Sequence, residues 1–155
     1  MKSVDGEEEI IKVLNSFDEN TIVVYTYGAW DLIHPGHVNL LNRAKEMGDV
    51  LIVGVVSNEP IKELKGDTRP TQDVKDRMIM VDSIKSVDFV VEQKKYDPSD
   101  CLRRLGNVSL LVKGDDWDYI PGEETIQEVG GKLVKLSYTS GFSTSSLIKK
   151  IEKNH

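Results

Sequence analysis

The chain has 155 residues, of which 39% are hydrophobic and 30% charged, and a formal net charge of −6; this suits one domain of ordinary size around a single core. Acidic residues are scattered and there is no basic tract, so neither nucleic acid nor an anionic membrane is expected as a partner. Apolar runs such as Val50 to Val56 fall far short of the ~20 residues that a bilayer span requires, and the amino terminus lacks a basic stretch followed by an apolar one, so a cytoplasmic protein is expected.

Residues 1–20 read as an acidic amino-terminal segment with a short amphipathic helix, Glu8 to Phe17, whose apolar positions Ile10, Ile11, Val13, Leu14 and Phe17 are spaced to dock on a sheet. Residues 21–155 read as the main domain. Thr21 to Val24 is a β-branched strand, Tyr25 to His37 a loop, and roughly residues 36–47 a helix ended by Gly48-Asp49. Val50 to Val56 is an apolar run typical of a central parallel strand and completes a βαβ unit. Ser57 to Thr71 reads as a long polar loop bearing Lys62, Lys65 and Arg69, of a length more often functional than incidental. A helix from Asp73 to Ile84 follows, then a strand from Asp88 to Val91. Cys101 to Leu105 falls in a helix, Ser109 to Val112 is a strand, Glu123 to Val129 a helix and Lys132 to Leu136 a fifth strand. Ser143 to Lys153 is the last helix, with serine and threonine hydroxyls as natural caps. Cys101 is the single cysteine, which excludes an internal disulfide, and its phase in the helix marks it as buried filler. Strands alternating with helices imply a parallel five-stranded sheet with helices on both faces.

The most informative stretch is Tyr25 to His37. A strand-to-helix loop lies at the carboxyl end of a strand, where open α/β sheets bind ligands, and the helix it opens offers unpaired N–H groups to an anion. Two of the three histidines, His34 and His37, sit there around Gly36, which lets a phosphate approach the backbone. Lys113-Gly114-Asp115-Asp116-Trp117 follows the fourth strand and should reach the same rim, while Gly141 to Ser146 places four hydroxyl residues around the last helix start. Neither a Gly-x-x-x-x-Gly-Lys-Ser/Thr loop nor Gly-x-Gly-x-x-Gly after the first strand is present, which argues against a phosphate-loop kinase and a dinucleotide dehydrogenase.

Gly28-Ala29-Trp30-Asp31-Leu32-Ile33-His34-Pro35-Gly36-His37 resembles the His-x-Gly-His signature of the nucleotidyltransferase superfamily, and the resemblance extends from about Ile22 to Ile151. It implies a Rossmann-like α/β fold and the following roles. His34 and His37 match the signature histidines that contact the phosphates and stabilise the pentacoordinate transition state. The turn of Tyr27, Gly28, Ala29 and Trp30 matches the one that holds triphosphate, and Asp31 the acidic residue that steadies the loop. Lys65 matches a mobile phosphate-binding lysine; Arg69, Arg77, Lys85 and Lys113 fall at cationic positions near acceptor or phosphates. Gly114, Asp115 and Asp116 match the nucleotide side, and Ser143 and Thr144 the pair that holds the β- and γ-phosphates.

Two branches share the resemblance. Tyr25-Thr26-Tyr27-Gly28 and Gly114-Asp115-Asp116-Trp117 resemble glycerol-3-phosphate cytidylyltransferase. The Lys65 to Pro70 loop, Leu111 to Gly114, Gly130-Gly131 and Ser143 to Ile148 resemble the adenylyl enzymes of ADP-heptose synthesis. Trp30 stands where phenylalanine is usual, and Tyr138 to Thr144 lacks the arginine that clamps phosphate in cytidylyltransferases.

Nucleotidyl transfer to a phosphomonoester needs charge neutralisation, in-line positioning and a stabilised pyrophosphate, and no general base, because the acceptor oxygen is already anionic. Transfer from CTP to a small phosphomonoester is therefore expected, with Mg²⁺ carried mainly by the triphosphate and no metal site on the protein. The alternatives are adenylyl transfer from ATP to a heptose-type sugar phosphate, cofactor synthesis of the FAD-synthetase type, and a nucleotide-binding module without turnover. A homodimer is expected, partly from the resemblance and partly because Tyr25, Tyr27 and Trp30 offer more aromatic surface than a nucleotide pocket uses.

Overall fold

The computed structural model of the chain describes residues 6–115, 118–137 and 143–154. Five parallel strands form one sheet in the order β3-β2-β1-β4-β5: β1 is Val23–Gly28, β2 Val50–Val56, β3 Phe89–Gln93, β4 Leu110–Gly114 and β5 Lys132–Leu136. Helix α1 (Glu7–Ser16) precedes β1, and α2 (Pro35–Glu46) links β1 to β2. Both α3 (Asn58–Lys65) and α4 (Val74–Asp82) lie between β2 and β3. Then α5 (Ser99–Leu105), α6 (Glu123–Glu128) and α7 (Thr144–Lys153) follow β3, β4 and β5.

The side-chain alternation of the buried strands splits the core in two. Val23, Tyr25, Tyr27, Ile52 and Val56 pack with Ile10 and Leu14 of α1, Ile61 of α3, and the helices α5 and α6. On the other face Val24, Leu51, Val53 and Val55 pack with Leu41 and Ala44 of α2 and Val81 of α4. Cys101 is buried in the first cluster, as its helical phase predicts. Helix α1 likewise belongs to this core through Ile10 and Leu14, as its periodicity predicts.

Three expectations are corrected. Strand β1 runs on through Gly28, so the connection into α2 is residues 29–34 rather than Tyr25 to His37; Tyr25 and Tyr27 continue the inward phase of Val23. Ser57 to Thr71 is not loop throughout, because Asn58–Lys65 forms α3, anchored by buried Ile61, and Pro60 falls in its first turn, where no intrahelical N–H is needed. Finally, Tyr25, Tyr27 and Trp30 are interior, with 0%, 1% and 4% of their surface exposed, so they offer no aromatic patch for a second copy.

Candidate active site

The sheet order reverses at β1, whose neighbours are β2 and β4, and at such a switch point the strand ends leave a crevice. Helix α2 starts there, with His34 as its N-cap in extended conformation and Pro35 in the first turn. The Gly36 N–H donates to His34 Nδ1 at 3.1 Å, and the His34 N–H donates to His37 Nδ1 at 3.2 Å. Each imidazole thus accepts at Nδ1, which assigns the proton of the neutral ring to Nε2. The rings stack with centroids 3.7 Å apart, an arrangement that opposes two positive charges. Burial lowers the pKa of both: His37 is driven to about 3 by burial first, then by His34 and Lys65, against a raising effect of Asp31. The pair is therefore two neutral Nε2–H donors held at a helix amino terminus.

What fixes this turn is a frame of buried polar groups. Trp30 and Leu32 both have positive φ, 54° and 53°, which non-glycine residues adopt only when held. The Trp30 indole N–H donates to the Gly54 carbonyl at 3.0 Å, and its ring meets His37 edge-on at 5.4 Å. Gly28 leaves room for that indole, since a Cβ there would lie 3.3 Å from it. Asp31 Oδ2 and Oδ1 accept the Thr71 and Gln72 N–H groups at 2.8 and 3.0 Å, while its carbonyl accepts from the Thr144 hydroxyl at 2.6 Å. One carboxylate residue thus ties the β1 loop to the segment before α4 and to α7.

A cleft of about 290 Å³ opens above these groups. Of the residues singled out in the sequence, Tyr27, Gly28, Ala29, Trp30, Asp31, His34, Gly36, His37, Lys65, Arg69, Lys113, Gly114, Ser143 and Thr144 line it together. Lys65 ends α3, and burial, then Arg69, lowers its pKa against the opposing effect of Asp31. Arg69 Nη2 donates to the Ser145 hydroxyl at 3.1 Å, spanning the mouth to α7. Lys113 Nζ donates to the Tyr27 carbonyl at 2.6 Å and lies 4.0 Å over that ring's centre. Ser143 caps α7 by accepting the Ser146 N–H at 3.0 Å.

Four of the expected site residues are not placed there. Arg77 is fully buried below the cleft, with Nε donating to Gln72 O, Nη1 to Ala29 O and Val56 O, and Nη2 to Asn58 Oδ1. It holds backbone rather than phosphate. Lys85 is exposed between α4 and β3, at the amino ends of the strands and so on the opposite rim. Asp115 is exposed just beyond β4 and does not line the cleft. Asp116, with Trp117 and Tyr138 to Phe142, lies outside the described residues. The sequence reading missed Leu40, Ile61, Tyr96 and Ser137, which also line the cleft, as does Ser145 of the hydroxyl residues expected at the last helix start. Tyr96 and Ser137 follow the carboxyl ends of β3 and β5, so the rim rule applied to every strand would have found them.

A sheet of this order, with histidines and cations gathered over its switch point, is the α/β arrangement that the His-x-Gly-His signature implies. The cytidylyltransferase-like family matches residues 25–150, and the chain belongs to that family. Among curated relatives it is similar to bifunctional protein HldE of Hydrogenovibrio crunogenus (37% identity over 153 residues, 97% of this chain and 31% of the relative). Bifunctional protein HldE of Citrobacter koseri is 41% identical over 136 residues, 85% of this chain and 28% of the relative. The chain thus spans about a third of the length of these relatives. Two solved structures share the fold. The lipopolysaccharide core biosynthesis protein from Thermoplasma volcanium superposes with TM-score 0.67 at 23% identity, covering 78% of this chain and all of that one. Pantoate-beta-alanine ligase from Francisella tularensis does so with TM-score 0.62 at 15% identity, covering 99% and 78%. Among the described residues no helix is long and apolar enough to cross a membrane.

Proposed function

We propose that the protein transfers AMP from ATP to the phosphate of a small sugar, of the heptose type, releasing pyrophosphate. The observation that carries nucleotidyl transfer is the pair of neutral Nε2–H donors at the α2 amino terminus, in one cleft with Lys65, Arg69 and Lys113. Such donors match charge that grows on the α-phosphate without needing to move a proton. An acceptor phosphate oxygen attacks the α-phosphorus, the bond to the bridging oxygen of pyrophosphate breaks in line, and the cations with the α7 start receive the leaving charge. Mg²⁺, bound through triphosphate oxygens, would neutralise further charge; a cleft lined by cations suits an ion that arrives with its nucleotide.

The choice of donor departs from the expectation of CTP. Support for ATP comes from the similarity to bifunctional HldE proteins and from the Lys65 to Pro70 loop, Gly130-Gly131 and Ser143 to Ile148, which resemble the adenylyl branch. The features that resemble the cytidylyl branch are Tyr25 to Gly28, of which Tyr27 and Gly28 line the cleft, and Gly114 to Trp117, of whose described residues Gly114 does. Pyrophosphate release measured with each of ATP and CTP, against heptose 1-phosphate and glycerol 3-phosphate, tests the reading. Turnover with ATP and the sugar phosphate is expected; faster turnover with CTP and glycerol 3-phosphate would overturn it.

A further inference from the structure

The rim of the sheet is divided by its topology, and one half of the cleft has no assigned occupant. The α2 start, which follows β1, and the α7 start, which follows β5, form the place for a triphosphate. On the β2–β3 side the wall is made by Ile61 and Lys65 of α3 and by Tyr96, which follows β3. Tyr96 is half-buried and stands edge-on to Tyr27, at 87° with centroids 6.0 Å apart.

The turn that presents Tyr96 is built from inside the sheet. Gln93, 1% exposed, donates from Nε2 to the Lys95 and Tyr96 carbonyls at 2.9 and 3.0 Å, and its Oε1 accepts the Tyr25 hydroxyl at 2.6 Å. Gly54 makes room for this link, since a Cβ there would lie 2.1 Å from that hydroxyl. A buried chain that spans β1 to β3 thus holds one aromatic side chain at the cleft.

We infer that Tyr96 is the specificity-determining residue for the acceptor, its ring taking the apolar face of a cyclic sugar, with Gln93 as its positioning residue. This rests on the adenylyl-transfer reading above. A ring face offers a pyranose a flat apolar contact that an open three-carbon phosphate cannot fill.

The test is steady-state pyrophosphate release by the full chain with ATP, using mannose 1-phosphate, heptose 1-phosphate and glycerol 3-phosphate as acceptors. Tyr96→Ala should raise KM for the sugar phosphate by about tenfold, the scale of one aromatic contact, without changing KM for ATP. Tyr96→Phe should stay close to the unmodified chain. Gln93→Leu should raise the same KM and spare that for ATP, a split that general loss of stability does not produce. An unchanged acceptor KM in Tyr96→Ala, with sugar phosphate still turned over, overturns this assignment alone. A rise in KM for ATP instead would give the wall to the nucleotide and also overturn it. Turnover of glycerol 3-phosphate but no sugar 1-phosphate overturns both this inference and the reading on which it rests.

Discussion

At the scale of single residues, the histidine pair illustrates how a backbone arrangement sets chemistry. Because each Nδ1 is occupied by a backbone N–H, neither ring can take a proton there without losing its place in the cap. In the proposed reaction the pair would serve as donors, and His34→Ala and His37→Ala should each lower kcat by ~10²-fold or more with the fold retained by circular dichroism. Near-normal turnover in both would remove them from the reaction. The pH behaviour follows with a definite sign. The folded pKa of His37 is about 3, below the ordinary 6.5 of an unfolded chain. As pH falls from 6.5 towards 3 the unfolded chain takes up a proton that the folded chain refuses. Its contribution to stability thus declines by up to about 1.4 kcal/mol per pH unit and is fully present above 6.5. Urea unfolding of the unmodified chain and of His37→Gln at a series of pH values should show the shallower slope in the variant.

At the scale of elements, Arg77 of α4 is the bracket between the β1 loop, the end of β2 and the start of α3. Its charge is buried with a hydrogen bond at each of its three nitrogens, and burial lowers its pKa against the raising effects of Asp31, Asp73 and Glu92. Arg77→Leu would orphan the carbonyls of Ala29, Val56 and Gln72, at ~1–3 kcal/mol each, so a loss on the order of 3 kcal/mol or more is expected in chemical denaturation. An unchanged denaturation midpoint would contradict that role. The sequence could not separate Arg77 from Lys65. Both are cations in polar or amphipathic stretches, and what distinguishes them is the convergence of carbonyls from three separate elements, a tertiary fact. The strands were legible because the parallel sheet is buried on both faces and reads as apolar runs. The end of β1 was not, since Tyr25-Thr26-Tyr27-Gly28 carries the polar atoms and glycine of a loop. Those tyrosine hydroxyls are satisfied by Gln93 and by the Pro121 carbonyl, 68 and 94 residues away in the chain. Likewise α3 is short and lysine-rich, and only the burial of Ile61 distinguishes it from a solvated loop.

At the scale of the whole molecule, the cleft joins parts of the chain that have little else to hold them together. Helix α7 has no buried residue of its own, and among its contacts are the Thr144 hydroxyl on Asp31 and the Ser145 hydroxyl on Arg69, both at the mouth of the cleft. A triphosphate seated between the α2 and α7 starts would therefore act as a bridge from the rigid sheet to the least anchored element. Ligand that binds only the folded chain stabilises it by about 2.7 kcal/mol at a hundred times its dissociation constant. For a chain of this size that corresponds to roughly 5–10 °C in Tm. Thermal unfolding with magnesium and either ATP or CTP should show the larger rise with ATP. Hydrogen exchange should slow most in residues 143–154 and in the Lys65 to Gln72 segment, and little in β2, which is buried without ligand. An equal rise with both nucleotides would mean that the site reads phosphate and not base. Protection confined to α2 would show that α7 does not help to hold the triphosphate.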